Sequence, residues 1–267
     1  MQKRLLNMNQ GVLLLEGTFV KDVYENIASH FDHTRHSQWT GVKRFLFSLA
    51  PYSLVLDVGC GNGKYLVPDR LIKMGCDRSV ELCRICNAKG YAVFAADCLS
   101  LPVAEGRFDA VLSIAVIHHL ATEERRQRAI RDLLCLLRPG GRALIYVWAF
   151  EQSRKGETSF YLKNTSNAVG ESSDKNGRVL ERVSIDGETS LPVHENGTQF
   201  VAQDLLVPWT RNSKKKGHNE EESDRLLRFY HVFKEGELER LCTSMNECLV
   251  KQTFYEQGNW CVELEKR

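Results

Sequence analysis

The segment LVLDVGCGNGKYL, residues 54–66, constrains the fold more than any other part of the chain. It begins as a short apolar run that contains Asp57, and glycine then stands at every second position, as Gly59, Gly61 and Gly63. An apolar run of this length predicts a buried strand. Glycine permits tight turning and lets the backbone approach a ligand closely. The segment therefore predicts a strand whose carboxyl end opens into a ligand-binding loop.

Further strand-like runs alternate with helical patterns along the chain. The runs are SLVLDV, LIKMGC, YAVFAA, FDAVLSIAV and RALIYVWA. Amphipathic helices are predicted to begin after Ser79 and Thr122, and a short one to begin at Lys64 and end before Pro68. Near-continuous apolar strands between such helices are typical of a parallel sheet covered on both faces. At the end of the chain, CLVKQTFYEQ and NWCVELEK flank Gln257-Gly258, which predicts a hairpin. We expect an α/β fold, a doubly wound and mostly parallel sheet with a C-terminal antiparallel hairpin.

The composition divides the chain into four predicted parts. Residues 1–52 form a helical cap over the active site, and residues 53–150 form the core. Residues 151–200 are rich in Ser, Asn, Gly, Glu and Lys, so we expect a disordered insertion, because such a segment buries little apolar surface. Residues 201–267 complete the core domain with the hairpin.

Charge and cysteine content restrict the class of protein only loosely. The net charge of +2 and the pI near 8.0 neither require nor exclude a nucleic-acid partner. Nine cysteines are scattered through apolar segments, which indicates reduced thiols and a cytoplasmic or nuclear location. No apolar run reaches about 18 residues, so no membrane span is expected.

The glycine loop has two common ligands, a dinucleotide and a methyl-donating nucleoside. The dinucleotide fingerprint G-x-G-x-x-G, counted from Gly59, needs a glycine where Lys64 stands. The observed pattern has an acid, Asp57, two residues before the first glycine, which suits an ammonium group better than a pyrophosphate. S-adenosylmethionine carries such an ammonium group. Two further acids follow the next strands: Asp77 can accept from the ribose hydroxyls and Asp97 from the adenine amino group.

These features together resemble the class I S-adenosylmethionine-dependent methyltransferases, which have a Rossmann-like fold. The RPGG sequence at 138–141 and the final hairpin stand where that family has them. The resemblance implies donor contacts from Cys98 and Ile114, in addition to the loop glycines and the three acids. No metal is expected, since His30, His33 and His36 are spaced by three and diverge around a helix.

A closer resemblance rests on TRHSQW (34–39), SIAVIHHL (113–120), RPGGRALIYVWAFEQ (138–152), DLLVPW (204–209), FYHVFKEGEL (229–238) and QGNWCV (257–262). These blocks resemble the eukaryotic tRNA wobble-uridine carboxymethyl methyltransferases, nearest to the methyltransferase half of the bifunctional AlkB-homologue members. The resemblance implies methyl esterification of 5-carboxymethyluridine in a tRNA anticodon. It also implies a small zinc-binding activator subunit as partner.

A carboxylate acceptor is ionised at neutral pH and needs no base. The expected catalytic residues therefore hold and aim it. Arg35 is the candidate for gripping the carboxylate, because a guanidinium is bidentate and always charged. His118, preferred over His119, is the candidate hydrogen-bond donor, and Trp148 the candidate platform for the uracil. Tyr230 and His231 are expected to complete the wall. A non-catalytic donor-binding scaffold and a small-molecule methyltransferase remain alternatives.

Overall fold

A computed structural model describes residues 10–34, 37–163, 181–210 and 225–267. The helices are α1 (residues 10–16), α2 (Asp22–Thr34), α3 (Thr40–Ser48), α4 (Val80–Ala88), α5 (Glu123–Leu136), α6 (Phe160–Lys163) and α7 (Glu237–Thr243). A π-helical turn, Gly17–Lys21, joins α1 to α2, and a 3₁₀ turn, Ile117–His119, precedes α5. None of the described helices is long and apolar enough to cross a membrane.

The strands of the central sheet are β1 (Leu54–Val58), β2 (Ile72–Asp77), β3 (Val93–Ala95), β4 (Phe108–Ile114), β5 (Leu137–Trp148), β12 (Cys248–Glu256) and β13 (Asn259–Lys266). Their order is β12-β13-β5-β4-β1-β2-β3. Strands β1 to β5 run parallel, whereas β13 lies antiparallel to both β5 and β12. The predicted doubly wound sheet with its C-terminal antiparallel hairpin is confirmed.

Local sequence signals set several element boundaries. The Ser79 hydroxyl accepts from the Leu82 amide at 3.2 Å, and the Thr122 hydroxyl accepts from the Arg125 amide at 3.3 Å, so both predicted N-caps are formed. The β12–β13 hairpin turns through Gln257 and Gly258, with φ angles of 48° and 82°. Two consecutive positive φ angles match the twist of the flanking strands.

The sheet buries apolar side chains on both faces. On one face, Ile130 and Leu133 of α5 belong to a cluster with Val111 of β4. On the other, Phe45 of α3 belongs to a cluster with Leu112, the next residue of β4. Because successive strand residues point to opposite faces, β4 supplies both layers.

The predicted helix at Lys64 is wrong, since residues 61–65 form turns. Hydrogen bonds from the Gly63 amide to Cys60 and from the Leu66 amide to Gly63 close successive tight turns. Pro68 lacks an amide hydrogen and disfavours helical backbone at the residue before it, so a helix here has no room to propagate.

The expected disorder of residues 151–200 is also wrong for the described parts. Strands β6 (Ser153–Arg154) and β7 (Glu157–Thr158) pair, as do β8 (Arg182–Ser184) and β9 (Ser190–Pro192). Val193 is buried and bridges to Leu206, and Ser159 is buried against Gln152. Composition missed this order because a few buried side chains anchor a mostly polar segment. The remainder, residues 164–180, lies outside the described residues.

A second antiparallel pair, β10 (Asp204–Thr210) and β11 (Arg225–His231), lies outside the central sheet. Strand β11 contacts α2, the π-helical turn and the 3₁₀ turn. This hairpin therefore stands beside the carboxyl end of β4, where it can wall a site.

Candidate functional site

A cavity of about 220 Å³ opens at the carboxyl ends of β1, β2 and β4. Strands β1 and β4 are neighbours in the sheet, and the chain winds away from them in opposite directions. Open α/β sheets bind ligands at this switch point. Residues from α2, the glycine loop, β4, β5 and β11 line the cavity.

The glycine loop forms one end of the cavity. The amides of Gly59 and Cys60 donate to the Cys76 carbonyl, and the Gly61 amide donates to an Asp77 carboxylate oxygen at 2.9 Å. Gly59 has a φ of 77°, and a Cβ there would lie 2.3 Å from a methyl group of Val116. Gly59 and Gly61 line the cavity.

Gly63, predicted with them, stands behind the loop. It is absent from the cavity lining, and a Cβ there would meet Tyr91 at 2.7 Å and Cys86 at 3.0 Å. The position therefore requires glycine for close packing against these side chains, whereas a contact between Gly63 and the donor stays a prediction.

Asp57 is a buried carboxylate that forms no ion pair with any of the described residues. It is 2% exposed, and neither of its oxygens has a hydrogen-bond partner among the described residues. Burial raises the pKa of Asp57 to about 7. An orphaned acid in this position fits the ammonium group of S-adenosylmethionine, which would supply the missing donor and charge.

The other two strand-end acids also face the cavity, with partners of their own. Asp77 accepts from the Gly61 and Ser79 amides, each at 2.9 Å, and burial raises its pKa. Asp97 accepts from the Leu99 amide and lies 3.3 Å from the Arg78 guanidinium. Both acids retain lone pairs for ribose and adenine groups. Cys98 and Ile114 line the cavity as well.

The two histidines follow a strained residue at the end of β4. Ala115 has a φ of 63°, although it is not glycine. Strain of this kind concentrates at functional sites. It lets the chain leave the strand sharply, so that the 3₁₀ turn brings His118 and His119 to the cavity.

His118 has one assigned tautomer, because its Nδ1 accepts from the Trp148 amide at 3.0 Å. The proton of the neutral ring is therefore on Nε2, which is buried with no partner among the described residues. Burial, reinforced by the neighbouring His119 and Arg228, places the pKa of His118 well below its usual value. The side chain is therefore a neutral N–H donor in the cavity wall, and its positioning role stays a prediction.

His119 instead links three elements. Its Nδ1 lies 2.7 Å from the Phe229 carbonyl of β11, to which it donates, and its Nε2 accepts from the Tyr24 hydroxyl of α2 at 2.9 Å. Burial lowers the pKa of His119 to about 3. Both ring nitrogens of His119 form hydrogen bonds within the protein, whereas His118 Nε2 has no partner among the described residues.

The acceptor side of the cavity is aromatic. Trp148 stacks on Tyr230 with ring centroids 4.5 Å apart, and both line the cavity. His231, expected in the same wall, does not line it; its ring is held between Asp204 and Glu237 at 2.7 Å each. Neighbouring strand residues point to opposite sides, so Tyr230 and His231 cannot share one wall. Arg35 lies outside the described residues.

The sequence interpretation missed Tyr24 and Arg228. Arg228 is 5% exposed, donates to the Tyr230 hydroxyl at 2.9 Å, and lines the cavity. A signal was present, because Arg228 and Tyr230 alternate in LLRFYH and so share a face of the strand. An arginine on the inward face of an apolar strand indicates a special environment.

The candidate histidine cluster in α2 has structural contacts. His30 accepts from the Trp209 indole at 3.0 Å, and His33 contacts the Ser29 carbonyl within its own helix. Among residues 10–34, 37–163, 181–210 and 225–267, no three metal-ligating side chains are grouped to hold an ion.

Comparisons with known proteins extend these findings. The family model described as "Methyltransferase domain" matches residues 56–145. A Xenopus tropicalis protein named tRNA (carboxymethyluridine(34)-5-O)-methyltransferase alkbh8 is 48% identical over 96% of this chain and 42% of its own length. A Schizosaccharomyces pombe protein named tRNA (carboxymethyluridine(34)-5-O)-methyltransferase is 35% identical over 94% of this chain and 97% of its own length.

A solved structure shares the fold. It is the S-adenosylmethionine-bound amino pentose methyltransferase CalS10 of Micromonospora echinaspora, with a TM-score of 0.56, 15% identity, and coverage of 92% of this chain and 97% of that one. The chain spans less than half the length of the frog relative and nearly all of the fission yeast one.

Proposed function

Because the chain belongs to the family of tRNA (carboxymethyluridine(34)-5-O)-methyltransferases, we propose that it methylates the carboxylate of 5-carboxymethyluridine in a tRNA anticodon. The methyl donor is S-adenosylmethionine, as the methyltransferase domain and the lining of the cavity support. The product is the methyl ester, 5-methoxycarbonylmethyluridine.

The residues at the glycine-loop end would hold the donor. Asp57 would accept from its ammonium group, Asp77 from its ribose hydroxyls, and Asp97 from its adenine amino group. The donor, when bound, supplies an electrophilic methyl group on a sulfonium. Gly59, with no side chain, lets the loop pack against Val116 beside the donor site.

One observation carries the choice of acceptor: the histidines at the cavity mouth are poor bases. The pKa of His119 is lowered to about 3 by burial, and the pKa of His118 lies well below its usual value. A general base works best with a pKa near the working pH. An acceptor hydroxyl or amine would need such a base, whereas a carboxylate with a pKa of about 4 arrives ionised. The site therefore suits an acceptor that needs positioning and no deprotonation.

Positioning can supply a large part of the catalysis of this reaction. Holding two reactants in a productive geometry can supply roughly 7–11 kcal/mol of the barrier. The Trp148–Tyr230 pair offers a flat apolar wall for a pyrimidine ring, and the His118 Nε2–H offers a directed donor. Together they would aim one carboxylate oxygen at the methyl group.

The test is a reconstituted reaction with the full chain. tRNA carrying 5-carboxymethyluridine is incubated with S-adenosylmethionine and the protein, with and without a co-purified activator subunit, and its nucleosides are measured by mass spectrometry. We expect the methyl ester to appear. If the protein binds the donor but forms no ester with or without the subunit, it is a non-catalytic donor-binding scaffold. If it methylates small carboxylic acids but not tRNA, it is a small-molecule methyltransferase.

Two expectations from the sequence become parts of this proposal. A small zinc-binding activator subunit would add to the sheet edge at β3. This strand is only three residues long, so the start of β2, with the 54%-exposed Ile72, is not covered by it. Co-expression with such a subunit would be expected to raise the soluble yield. Cytoplasmic or nuclear residence is supported by the nine cysteines, all of which are free thiols.

A further inference from the structure

Arg228 is a buried cation that has no counter-ion among the described residues. It forms no ion pair with any described carboxylate, and its Nε has no hydrogen-bond partner in the described part of the chain. Its guanidinium lies 4.7 Å from the Trp209 ring centroid and 5.3 Å from that of Tyr230. Aromatic faces and the hydroxyls of Tyr230 and Tyr24 compensate a buried charge only in part, since removal from water costs several kcal/mol.

Arg126 of α5, which is buried to a similar degree, is a matched comparison. Its Nε also lacks a hydrogen-bond partner among the described residues, while its guanidinium donates to the Leu120 carbonyl at 2.9 Å and lies in the field of Glu237 and Asp204. Arg126 is also absent from the cavity lining, whereas Arg228 belongs to it. Arg228 is thus a buried arginine whose unmet bonding capacity faces a ligand site.

A second unpartnered donor stands close by. The His118 Nε2–H is buried and unsatisfied among the described residues, and the His118 ring centroid lies 4.8 Å from that of Tyr230. Arg228 and His118 therefore flank the same aromatic ring. Two unsatisfied donors, one of them charged, are best matched by an acceptor group with several lone pairs and negative charge.

The opposite end of the cavity carries the opposite charge. Asp57, Asp77 and Asp97 line the donor end, and Arg228 is the buried cation at the acceptor end. The other basic residues of the lining have different settings: Lys21 is exposed, the Lys64 ammonium reaches the Ser37 carbonyl, and Arg78 pairs with Asp97. An anionic group entering beside Trp148 would meet Arg228.

We propose that Arg228 binds the carboxylate of the acceptor nucleoside and, with His118 Nε2–H, makes the site select an anionic group. The inference rests on the proposed function. Arg228 binds one oxygen of the carboxylate, which does not react. The second oxygen keeps a free lone pair. That lone pair forms the new C–O bond as the C–S bond of the donor breaks and its electron pair returns to sulfur. No proton moves.

The test compares two acceptors that differ in charge and little in shape. One tRNA carries 5-carboxymethyluridine and the other carries the neutral amide 5-carbamoylmethyluridine, both bound in the presence of S-adenosylhomocysteine to prevent turnover. We expect the wild type to prefer the carboxylate by roughly 10- to 100-fold in Kd. Arg228→Gln should bind both tRNAs about equally, and Arg228→Lys should keep part of the preference, because an ammonium lacks the guanidinium fork.

Arg225 provides the matched control on the same strand. It is an exposed arginine paired with Glu181, so Arg225→Gln removes an equal charge outside the cavity. We expect it to keep the full preference for the carboxylate. Equal weakening of both tRNAs by Arg228→Gln would mean that Arg228 binds an RNA phosphate. A raised Kd for S-adenosylmethionine with the preference intact would mean that it binds the donor carboxylate. Either result overturns the proposal.

Stability separates a ligand-binding role from a structural one. Arg228→Met replaces an uncompensated buried charge by an apolar side chain of similar length, which is often neutral or stabilising. We expect its thermal midpoint to equal or exceed that of the wild type while the carboxylate preference is lost. A lower midpoint would contradict the charge argument. If the wild type forms the ester and Arg228→Gln still prefers the carboxylate tRNA, the role of Arg228 is wrong and the proposed function stands. If the wild type prefers the carboxylate tRNA but forms no ester, the proposed function is wrong and the role of Arg228 in binding stands.

Discussion

The two ends of the cavity are built in different ways. The donor end takes its polar groups from consecutive strand ends within residues 57–97, and the sheet alone brings them together. The acceptor end joins α2, the 3₁₀ turn, β5 and β11 through contacts such as Tyr24–His119 and His119–Phe229, which are 95 and 110 residues apart. The donor end follows from the fold alone, whereas the acceptor end depends on contacts that are specific to this sequence. Variants should therefore affect the two ends separately.

The largest expected effect is at the donor end. Gly61→Arg places a long side chain at a cavity-lining position with a φ of 55°, where even a Cβ lies 3.2 Å from the Phe31 ring. Because both the backbone and the space favour glycine, we expect S-adenosylmethionine binding to fall below detection by calorimetry, with the protein still folded by circular dichroism. Normal donor affinity in the folded variant would show that the loop does not hold the donor.

The next effect is a pH dependence of donor binding. The pKa of Asp57, about 7 in the unliganded protein, lies above its usual value, so the carboxyl group is neutral at lower pH. The donor ammonium prefers the carboxylate form, so binding releases a proton and tightens as pH rises. We expect Kd to fall roughly tenfold per unit below about pH 7 and to level off above it.

Asp57→Asn is the control for that dependence. It removes the titrating group and should bind weakly, with a Kd nearly independent of pH between about 5.5 and 7.5. A slope that persists in Asp57→Asn would assign the titration to another group.

At the acceptor end, His118→Ala should slow turnover by roughly 10- to 100-fold through loss of one buried hydrogen bond to a charged group. The pKa of His118 lies well below its usual value, so the ring does not titrate near neutrality and the pH profile of kcat should keep its shape. Donor Kd should stay unchanged. If the wild-type rate instead rises through about pH 6.5 and His118→Ala loses that rise, histidine acts as a base, and the carboxylate assignment fails.

The smallest effect tests the assembly of the acceptor end. Tyr24→Phe deletes the hydroxyl that donates to His119 Nε2 at 2.9 Å. We expect a loss of about 1 kcal/mol in urea unfolding and a few-fold rise in KM for tRNA, with donor affinity unchanged. An equal loss of donor affinity would mean that the two ends are coupled rather than separate.

The same division explains what the sequence could predict. Asp57, Asp77 and Asp97 follow recognisable strands, and parallel strands bring their carboxyl ends to one edge, so their meeting was predictable. The positions of Arg228 and Tyr24 in the cavity could not be predicted from local sequence patterns. The spacing of apolar residues predicts a helix or a strand, but not which helix packs against which hairpin. His231 was predicted in the cavity wall because it follows Tyr230 in the sequence, but successive residues of a strand point to opposite sides. The predicted disorder at 151–200 failed because a few buried contacts, such as Val193 with Leu206, order a polar segment.

The unmatched charge of Arg228 also has a consequence for turnover. With the carboxylate as its counter-ion, Arg228 is compensated only while the substrate remains unmodified. Esterification removes the negative charge, and the arginine is again left with tyrosine and tryptophan as neighbours. The attraction that recruited the tRNA therefore vanishes in the chemical step itself. Esterification therefore favours dissociation of the product. A tRNA that is already esterified binds weakly for the same reason, so it would occupy the site only briefly.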